Sequence, residues 1–396
     1  MNTQEMMQLA DKVLVGTYKR FPIMLVKGAG TKVWDSTGKE YLDLVAGIAV
    51  CSLGHSHPRV IEALRRQLAE LTHVSNLYYI EPQIRCAKIL VDNSFAERVF
   101  FCNSGAEANE AAIKLARKYA QENLGKGKYE LITMLNSFHG RTLATVAATG
   151  QTKFHKGFEP LPAGFSHVPF NDLAALAGAI NERTCGIMVE PIQGEGGVII
   201  PDPGYLREVR KICDERGLLL ILDEVQVGMG RTGRLFAYEE AGITPDILTL
   251  AKALGNGFPV GAMLATEKVS QAFGPGSHAS TFGGNPLAMA AACASLETML
   301  QDGVLENCSQ MGAYFLEKLQ ELKVRHPVVE SVRGRGLIVA MELTVPGEEI
   351  VLRCLEKGLL INCTNGNILR FVPPLIIDKD DIDRAAAILD EVIGNR

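Results

Sequence analysis

A run of five aliphatic residues leads directly into two carboxylates in the middle of this chain. Residues 218–222 are all Leu or Ile, and Asp223 and Glu224 follow them. Five residues are too few for an ordinary helix, but they suit a parallel strand that is covered on both faces. In open α/β sheets, ligands bind outside the carboxyl ends of such strands. The run therefore predicts a helix-covered parallel sheet with its chemistry near Asp223.

A second short strand is predicted at residues 246–250, and Lys252 stands just beyond its end. An acid and a lysine on neighbouring strand ends suit pyridoxal phosphate (PLP), which needs an amine for covalent attachment and an anionic partner for its ring nitrogen. In a second interpretation, Asp223 caps the next helix and Lys252 is a solvated loop residue. These two segments alone leave both interpretations open.

Strand-like and helix-like segments alternate over residues 99–265, which predicts an α/β fold with a mostly parallel, helix-covered sheet. The segments after residue 301 suit a smaller α+β domain. We expect the large domain to span residues 58–286 and the small domain to combine residues 1–57 with residues 287–396. A chain of 396 residues is long enough to bury the cores of both.

Three polar segments could contact a cofactor or a substrate. At residues 103–106 a strand turns into an alanine-rich helix, whose first amides and the Ser104 hydroxyl could hold a phosphate. Ser104 could equally be an ordinary helix cap. Phe138 could stack on an aromatic ring and Arg141 could bind a carboxylate, although an arginine in a loop is usually solvated. The glycine-rich loop at residues 278–286 could offer hydroxyls to a phosphate.

Composition and motif context disfavour several other classes of function. The net charge of −5 comes without a basic stripe, so nucleic-acid binding has little support. The N-terminus is polar and no apolar run reaches membrane-spanning length, so we expect a cytoplasmic protein that does not bind a membrane. His55 and His57 look like a metal pair, but no acidic or Cys ligand follows at a suitable spacing, so no metal is expected.

Residues 228–233 match the dinucleotide-binding pattern Gly-x-Gly-x-x-Gly letter for letter. A true fingerprint follows its strand immediately and opens a helix. Here five residues separate the pattern from the predicted strand, and no convincing helix follows it. The pattern therefore gives little support to a nicotinamide cofactor.

Six motifs in a fixed order give the chain a resemblance to the class III aminotransferases over nearly its whole length. They lie at residues 103–107, 138–142, 190–195, 223–226, around Lys252 and at residues 280–286. The resemblance implies the fold-type I architecture of PLP-dependent transferases and a homodimer with active sites at the subunit interface. Many members carry Thr where this chain has Ala106, which alters a side-chain contact but keeps the backbone amide.

The resemblance also implies roles for individual residues at the cofactor. Lys252 would bond covalently to PLP and move a proton during catalysis. Asp223 would keep the pyridine nitrogen protonated, and Phe138 would stack on the ring. The phosphate would be held by Ser104, Gly105, Ala106 and, across the dimer interface, Thr281. The other cofactor contacts are expected from Glu190, Glu224, Val225 and Gln226.

Three further segments most resemble the branch of the class that moves an amino group from acetylornithine to 2-oxoglutarate: residues 44–50, 73–79 and 369–375. By this resemblance, Arg141 would bind the α-carboxylate of acetylornithine, with Ser280 nearby. Arg370 would bind the α-carboxylate of 2-oxoglutarate. Glu195 would pair with Arg370 while the amino donor reacts.

Several alternatives stay open at this point. Ornithine, succinyldiaminopimelate and 4-aminobutyrate are other possible amino donors. A PLP-dependent aminomutase or racemase of the same fold and a nicotinamide dehydrogenase are the other classes of enzyme. Bound PLP would colour the protein yellow and exclude the dehydrogenase, whereas a need for a 2-oxo acid would exclude the mutase.

Overall fold

The computed structural model describes residues 2–395. The strands are β1 (Leu25–Ala29), β2 (Lys32–Asp35), β3 (Glu40–Asp43), β4 (Arg98–Cys102), β5 (Glu130–Met134), β6 (Phe165–Val168), β7 (Thr184–Val189), β8 (Leu219–Asp223), β9 (Ile247–Leu250), β10 (Gly261–Ala265), β11 (Val329–Arg335), β12 (Ile338–Leu343), β13 (Leu359–Leu360), β14 (Asn362–Thr364) and β15 (Ile368–Phe371).

The helical segments are α1 (Thr3–Val13), α2 (Ala46–Ala49), α3 (Pro58–Glu70), α4 (Glu81–Asp92), α5 (Gly105–Asn123), α6 (Leu143–Ala148), α7 (Leu173–Ala179), α8 (Tyr205–Arg216), α9 (Tyr238–Ala241), α10 (Glu267–Ser270), α11 (Pro286–Gln301), α12 (Val304–Arg325), α13 (Glu348–Glu356) and α14 (Lys379–Gly394). Short 3₁₀ turns lie at Thr152–Phe154 and Lys252–Leu254. Within residues 2–395, no helix combines the length and the apolar character needed to cross a membrane.

The central sheet has seven strands in the order β4-β10-β9-β8-β7-β5-β6. All neighbouring strands pair in parallel except β10, which is antiparallel to both β4 and β9. Every residue of β7, β8 and β9 is buried, as a strand covered by helices on both faces requires. The predicted α/β class is therefore confirmed, although the sequence pattern did not predict β6 or β10.

Two four-stranded sheets stand beside the central one. The first contains an antiparallel hairpin of β2 and β3, and its strand order is β1-β2-β3-β13. Because β13 pairs in parallel with β3, the N-terminal and C-terminal parts of the chain share a sheet. The second sheet has the order β11-β12-β15-β14. The domain boundaries at 57/58 and 286/287 stay a prediction.

The residues that match the dinucleotide pattern form consecutive turns between β8 and the four-residue helix α9. Within this segment Arg231 is almost fully buried. Its guanidinium donates to the carbonyl oxygens of Leu337 and Pro373. It also donates to Ser52 Oγ at a distance of 2.8 Å. The segment thus joins the N-terminal part, the central sheet and the C-terminal part, which is a structural role.

Candidate active site

A cavity of about 450 Å³ opens at the carboxyl ends of the central strands. Its lining includes most of the residues that the sequence singled out: Ser104, Gly105, Ala106, Phe138, Arg141, Glu190, Glu195, Asp223, Val225, Gln226 and Lys252. This position agrees with the rule that open α/β sheets bind ligands at their carboxyl edge. The fold therefore gathers these residues from five separated segments around one space.

Asp223 ends β8 and is held by three donors. Its Oδ2 accepts from Asn109 Nδ2 at 2.7 Å and contacts His139 Nδ1 at 2.8 Å, and its Oδ1 accepts from the Val225 amide at 3.0 Å. Burial alone would lower the pKa of His139, but the hydrogen bond and charge of Asp223 raise it above its usual value. The carboxylate is thus fixed in a buried position.

Asn109 and His139 are site residues for which the sequence analysis gave no role. Asn109 lies one turn beyond Gly105 on α5, and its Oδ1 accepts from Thr249 Oγ1 at 2.7 Å. Residues four apart on a helix share a face, so the helix period was the signal that could have identified Asn109. His139 stands next to Phe138, but only the fold brings it to Asp223.

Lys252 begins the 3₁₀ turn after β9 and has a left-handed backbone, with φ of 44°. A positive φ is unusual for a residue other than glycine and is often found at functional sites. Within residues 2–395, its amine makes no hydrogen bond or ion pair with protein. Burial, followed by the charge of Arg370, lowers the pKa of Lys252 to about 8. The amine is therefore neutral more often than an exposed lysine and better suited to nucleophilic attack.

The N-terminus of α5 faces the cavity with Gly105 and Ala106 as its first residues. A Cβ on Gly105 would lie 2.6 Å from Val225 Cγ1, so only glycine fits there. Ser104 caps the helix, because its Oγ accepts from the Glu107 amide and donates to Glu107 Oε2. The capping interpretation of Ser104 is confirmed, and the first amides of α5 are the groups left to bind an anion.

Glu190 and Gln226 both lie next to the loop at Gly194. Glu190 accepts from the Phe138 amide at 3.0 Å and from the Gly194 amide at 3.4 Å. Burial raises the pKa of Glu190 to about 7. Gln226 Oε1 is buried without a hydrogen-bond partner in the described part of the chain. The Gln226 amide is thus available to a bound molecule.

Glu224 is not where the sequence analysis expected it. Its carboxylate accepts from the amides of Ala237 and Tyr238 at 2.7 and 2.8 Å, and it does not line the cavity. Burial raises the pKa of Glu224 to about 8. The reason is geometric, since successive residues of an extended chain project to opposite sides. Glu224 therefore fixes the start of α9 and lies outside the cavity lining.

Arg370 on β15 forms an ion pair with Glu195 inside the site. The distance from Arg370 Nη1 to Glu195 Oε2 is 2.8 Å, and the arginine is 1% exposed. Burial alone would raise the pKa of Glu195, but the charge of Arg370 holds it below its usual value. The pair expected from the resemblance is thus present in the structure.

Arg141 lies on aromatic surface at the cavity wall. Its guanidinium carbon is 3.9 Å from the ring centroid of Phe154 and 5.4 Å from that of Phe138. Phe154 belongs to the 3₁₀ turn at Thr152–Phe154 and had no role in the sequence analysis. No short-range pattern in the sequence links it to Arg141.

Four consecutive residues with positive φ lead to the cavity residue Val50. They are Ala46, Gly47, Ile48 and Ala49, with φ of 49, 65, 66 and 60°. Asp43 holds this left-handed turn by accepting from the amides of residues 45 and 46 and from His55 at 2.8 Å. The hydrogen bond to Asp43 raises the pKa of His55 to about 10. The first histidine of the apparent metal pair thus supports the backbone of the cavity wall.

Ser280 and Thr281 do not line this cavity. Ser280 Oγ accepts from Asn103 Nδ2 at 3.1 Å and from the Gly283 amide at 3.0 Å. Thr281 is exposed. Ser280 therefore shapes the loop at 280–284, and neither residue lines the cavity formed by the same chain.

The donor set of the cavity fits PLP. The free first amides of α5 suit a phosphate, the half-buried amine of Lys252 suits an aldehyde, and Asp223 supplies the anion for a protonated ring nitrogen. Phe138 offers a ring face, and the unpartnered amide of Gln226 can reach a polar substituent.

Comparison with known proteins agrees with this fit of the cavity to PLP. A family model described as Aminotransferase class-III matches residues 15–393. An acetylornithine aminotransferase from Caldanaerobacter subterraneus subsp. tengcongensis is 57% identical, covering 98% of this chain and 99% of that protein. An acetylornithine aminotransferase from Methanocaldococcus jannaschii is 51% identical, covering 99% of this chain and 98% of that protein.

A solved structure of an ornithine aminotransferase from Toxoplasma gondii is similar over the whole fold. It is 34% identical, with a TM-score of 0.95, and covers 99% of this chain and 94% of that one. That structure reveals partial occupancy of PLP at its active site.

Proposed function

We propose, from the premise that this chain belongs to the class III aminotransferases, that it transfers the δ-amino group of N-acetylornithine to 2-oxoglutarate. The products would be N-acetylglutamate 5-semialdehyde and glutamate, as in arginine biosynthesis. The observation that carries the proposal is the pair of arginines at the cavity, of which Arg370 is paired with Glu195 while Arg141 has no acidic partner within residues 2–395. Acetylornithine has one carboxylate and therefore needs one of these arginines, whereas 2-oxoglutarate has two carboxylates and needs both.

Bound PLP supplies an electron sink that stabilises negative charge on the carbon bearing the reacting amine. Lys252 Nζ would hold the cofactor and, once the substrate amine displaces it, would act as the general base that moves the proton from that carbon to C4′ of the cofactor. Its lowered pKa favours the neutral amine that this step needs. Asp223, fixed by Asn109 and His139, keeps a proton on the ring nitrogen. Phe138 and Gln226 orient the ring.

The two arginines divide the recognition of substrates. Arg141 binds the α-carboxylate of acetylornithine, whose α-amine is blocked by the acetyl group, so the δ-amine is the group that reacts. Glu195 neutralises Arg370 during this half-reaction. In the other half-reaction Glu195 releases Arg370, which binds the α-carboxylate of 2-oxoglutarate while Arg141 binds the distal one.

We expect acetylornithine to be preferred over free ornithine and 4-aminobutyrate. We also expect Arg141→Ala to weaken both substrates and Arg370→Ala to weaken mainly 2-oxoglutarate. Loss of one charge-assisted bidentate contact costs about 1.5 to 3 kcal/mol, roughly ten- to a hundredfold in kcat/KM. Single turnovers between the pyridoxal and pyridoxamine forms of the cofactor measure each half-reaction separately.

Arg66→Ala is the matched control for these variants, because Arg66 is an exposed arginine on α3, outside the cavity lining. It should leave both half-reactions unchanged. If Arg370→Ala slowed both half-reactions equally, the proposed division of substrate recognition between Arg141 and Arg370 would be wrong. A higher kcat/KM for ornithine or 4-aminobutyrate would assign the chain to another branch of the class.

We also propose that the enzyme is a homodimer in which Thr281 completes the phosphate site of the other subunit. The support is an exposed apolar surface next to the loop at 280–284. Leu77, Tyr78 and Tyr79 are 83, 68 and 97% exposed, and the adjacent Asn76 donates to the carbonyl oxygens of residues 280 and 283. Exposed apolar surface of this kind marks a protein interface.

Subunit mixing tests the shared site. Lys252→Ala and Thr281→Asp should each be inactive, the second because its carboxylate repels the phosphate. After subunit exchange, half of the dimers are hybrids, and each hybrid has one site with both intact residues. Activity should recover to roughly a quarter of the wild-type value. No recovery after proven exchange, or an active monomer in sedimentation, would contradict the shared site.

A further inference from the structure

Arg141 is held by an aromatic ring, not by an acid. The 3.9 Å distance from its guanidinium carbon to the Phe154 centroid is that of a close cation–π contact. Phe138 adds a second ring at 5.4 Å, and the two phenyl rings meet edge to face at 5.9 Å and 84°. No carboxylate within residues 2–395 forms a salt bridge with Arg141. The guanidinium is thus oriented while its charge stays available to a ligand.

A second cation lies on the same ring. Lys153 Nζ is 4.9 Å from the Phe154 centroid, and the side chain is exposed and forms no salt bridge in the described part of the chain. Its charge also reaches the cavity, because it contributes to lowering the pKa of Glu195 after the larger effect of Arg370. Two cations that form no salt bridge within residues 2–395 therefore contact one phenyl ring, and one of them, Arg141, lines the cavity.

The turn that carries these residues is attached to the loop that carries Phe138. Gln151, which precedes the turn, is buried and donates through Nε2 to the carbonyl oxygen of Ser137 at 2.9 Å. His155, which follows it, contacts the carbonyl oxygen of Thr149 through Nε2 at 2.7 Å. Because the turn is held at both ends, Phe154 has a defined position relative to Phe138 and Arg141.

We propose that Lys153, Phe154 and Arg141 together form the element that recognises the far carboxylate of both substrates, with Phe154 as a positioning residue for Arg141 and Lys153 as a second cation. The ligand class is a carboxylate at the opposite end of a short carbon chain from the reacting carbon. The inference rests on the proposed function, since it takes Arg141 as the carboxylate anchor. The inference gives roles to Lys153 and Phe154, which have no role in the proposed function.

Phe154→Leu removes the ring and keeps an apolar side chain. It should raise KM for acetylornithine and 2-oxoglutarate roughly two- to tenfold, with a smaller change in kcat, because the guanidinium loses its support but not its charge. Phe154→Tyr keeps the ring face and should stay within twofold of wild type. The dissociation constant of glutarate, which has no amine or oxo group, should rise with KM when titrated into the holoenzyme.

Lys153→Met tests the second cation on an exposed residue whose replacement does not threaten folding. It should weaken glutarate binding roughly two- to fivefold at low salt and make that binding less sensitive to salt, and Lys153→Arg should restore both. Lys156→Met is the matched control, since it removes an exposed lysine three residues further on, which has no contact with Phe154. It should leave the salt dependence unchanged.

Arg141→Ala, measured in parallel, separates the two proposals. If Arg141→Ala leaves glutarate binding intact, the anchor in the proposed function is wrong. If Arg141→Ala weakens glutarate while Phe154→Leu and Lys153→Met both bind it like wild type, the inference is overturned and the proposed function stands. A change in kcat with KM and glutarate binding unaltered would likewise reject the assigned roles.

Discussion

Replacement of Lys252 by alanine is expected to reduce turnover by about 10⁴-fold or more, because one side chain supplies both the covalent attachment and the general base. Some PLP should remain bound, since the first amides of α5 and the carboxylate of Asp223 hold it independently of the lysine. Borohydride reduction of the wild-type holoenzyme followed by peptide mapping identifies the attachment point. Equilibrium dialysis measures the cofactor that the variant retains.

Lys268→Ala is a suitable control for this experiment. Lys268 lies on the short helix α10, outside the cavity lining, so its loss should leave turnover and cofactor content unchanged. Reduction that labels a lysine other than Lys252 would refute the assignment. So would a Lys252→Ala variant with substantial turnover.

Asp223→Asn should reduce activity roughly 10²- to 10³-fold without unfolding the protein, because an amide cannot stabilise a charged ring nitrogen as a carboxylate does. Asn109 and His139 would still bond the side-chain oxygen, so the position of the residue should persist. PLP methylated at the ring nitrogen carries a positive charge that does not depend on Asp223. Reconstitution with this cofactor should therefore recover part of the rate.

Glu224→Gln provides the comparison for Asp223→Asn. Glu224 is the adjacent buried carboxylate, but it bonds the amides of Ala237 and Tyr238 outside the cavity. Any loss of activity in this variant should arise from lower stability, which thermal unfolding measures. The methylated cofactor should not restore that activity. An Asp223→Asn enzyme with near-wild-type activity on ordinary PLP would reject the electrostatic role.

The sequence analysis predicted the centre of the fold because its signals there are local. Short aliphatic runs bounded by glycine or polar residues indicated β8 and β9, and the structure confirms that these two strands are neighbours. Fold-type I architecture and the class III family are confirmed as well. The strand β10 was missed, although all five of its residues are buried, because its pairing with β4 and β9 is a long-range property.

The sequence by itself predicted the candidate residues for the chemistry and the ends of β8 and β9, since residue type and apolar runs are properties of neighbouring residues. Tertiary structure decided which of them meet. Asp223 and Glu224 are adjacent and equally acidic, yet only the packing of β8 puts the first in the cavity and the second against α9. Arg370 reaches Glu195 from 175 residues away. The contact of Phe154 with Arg141 arises only through the folding of a loop, because no periodic pattern encodes contacts between distant loops.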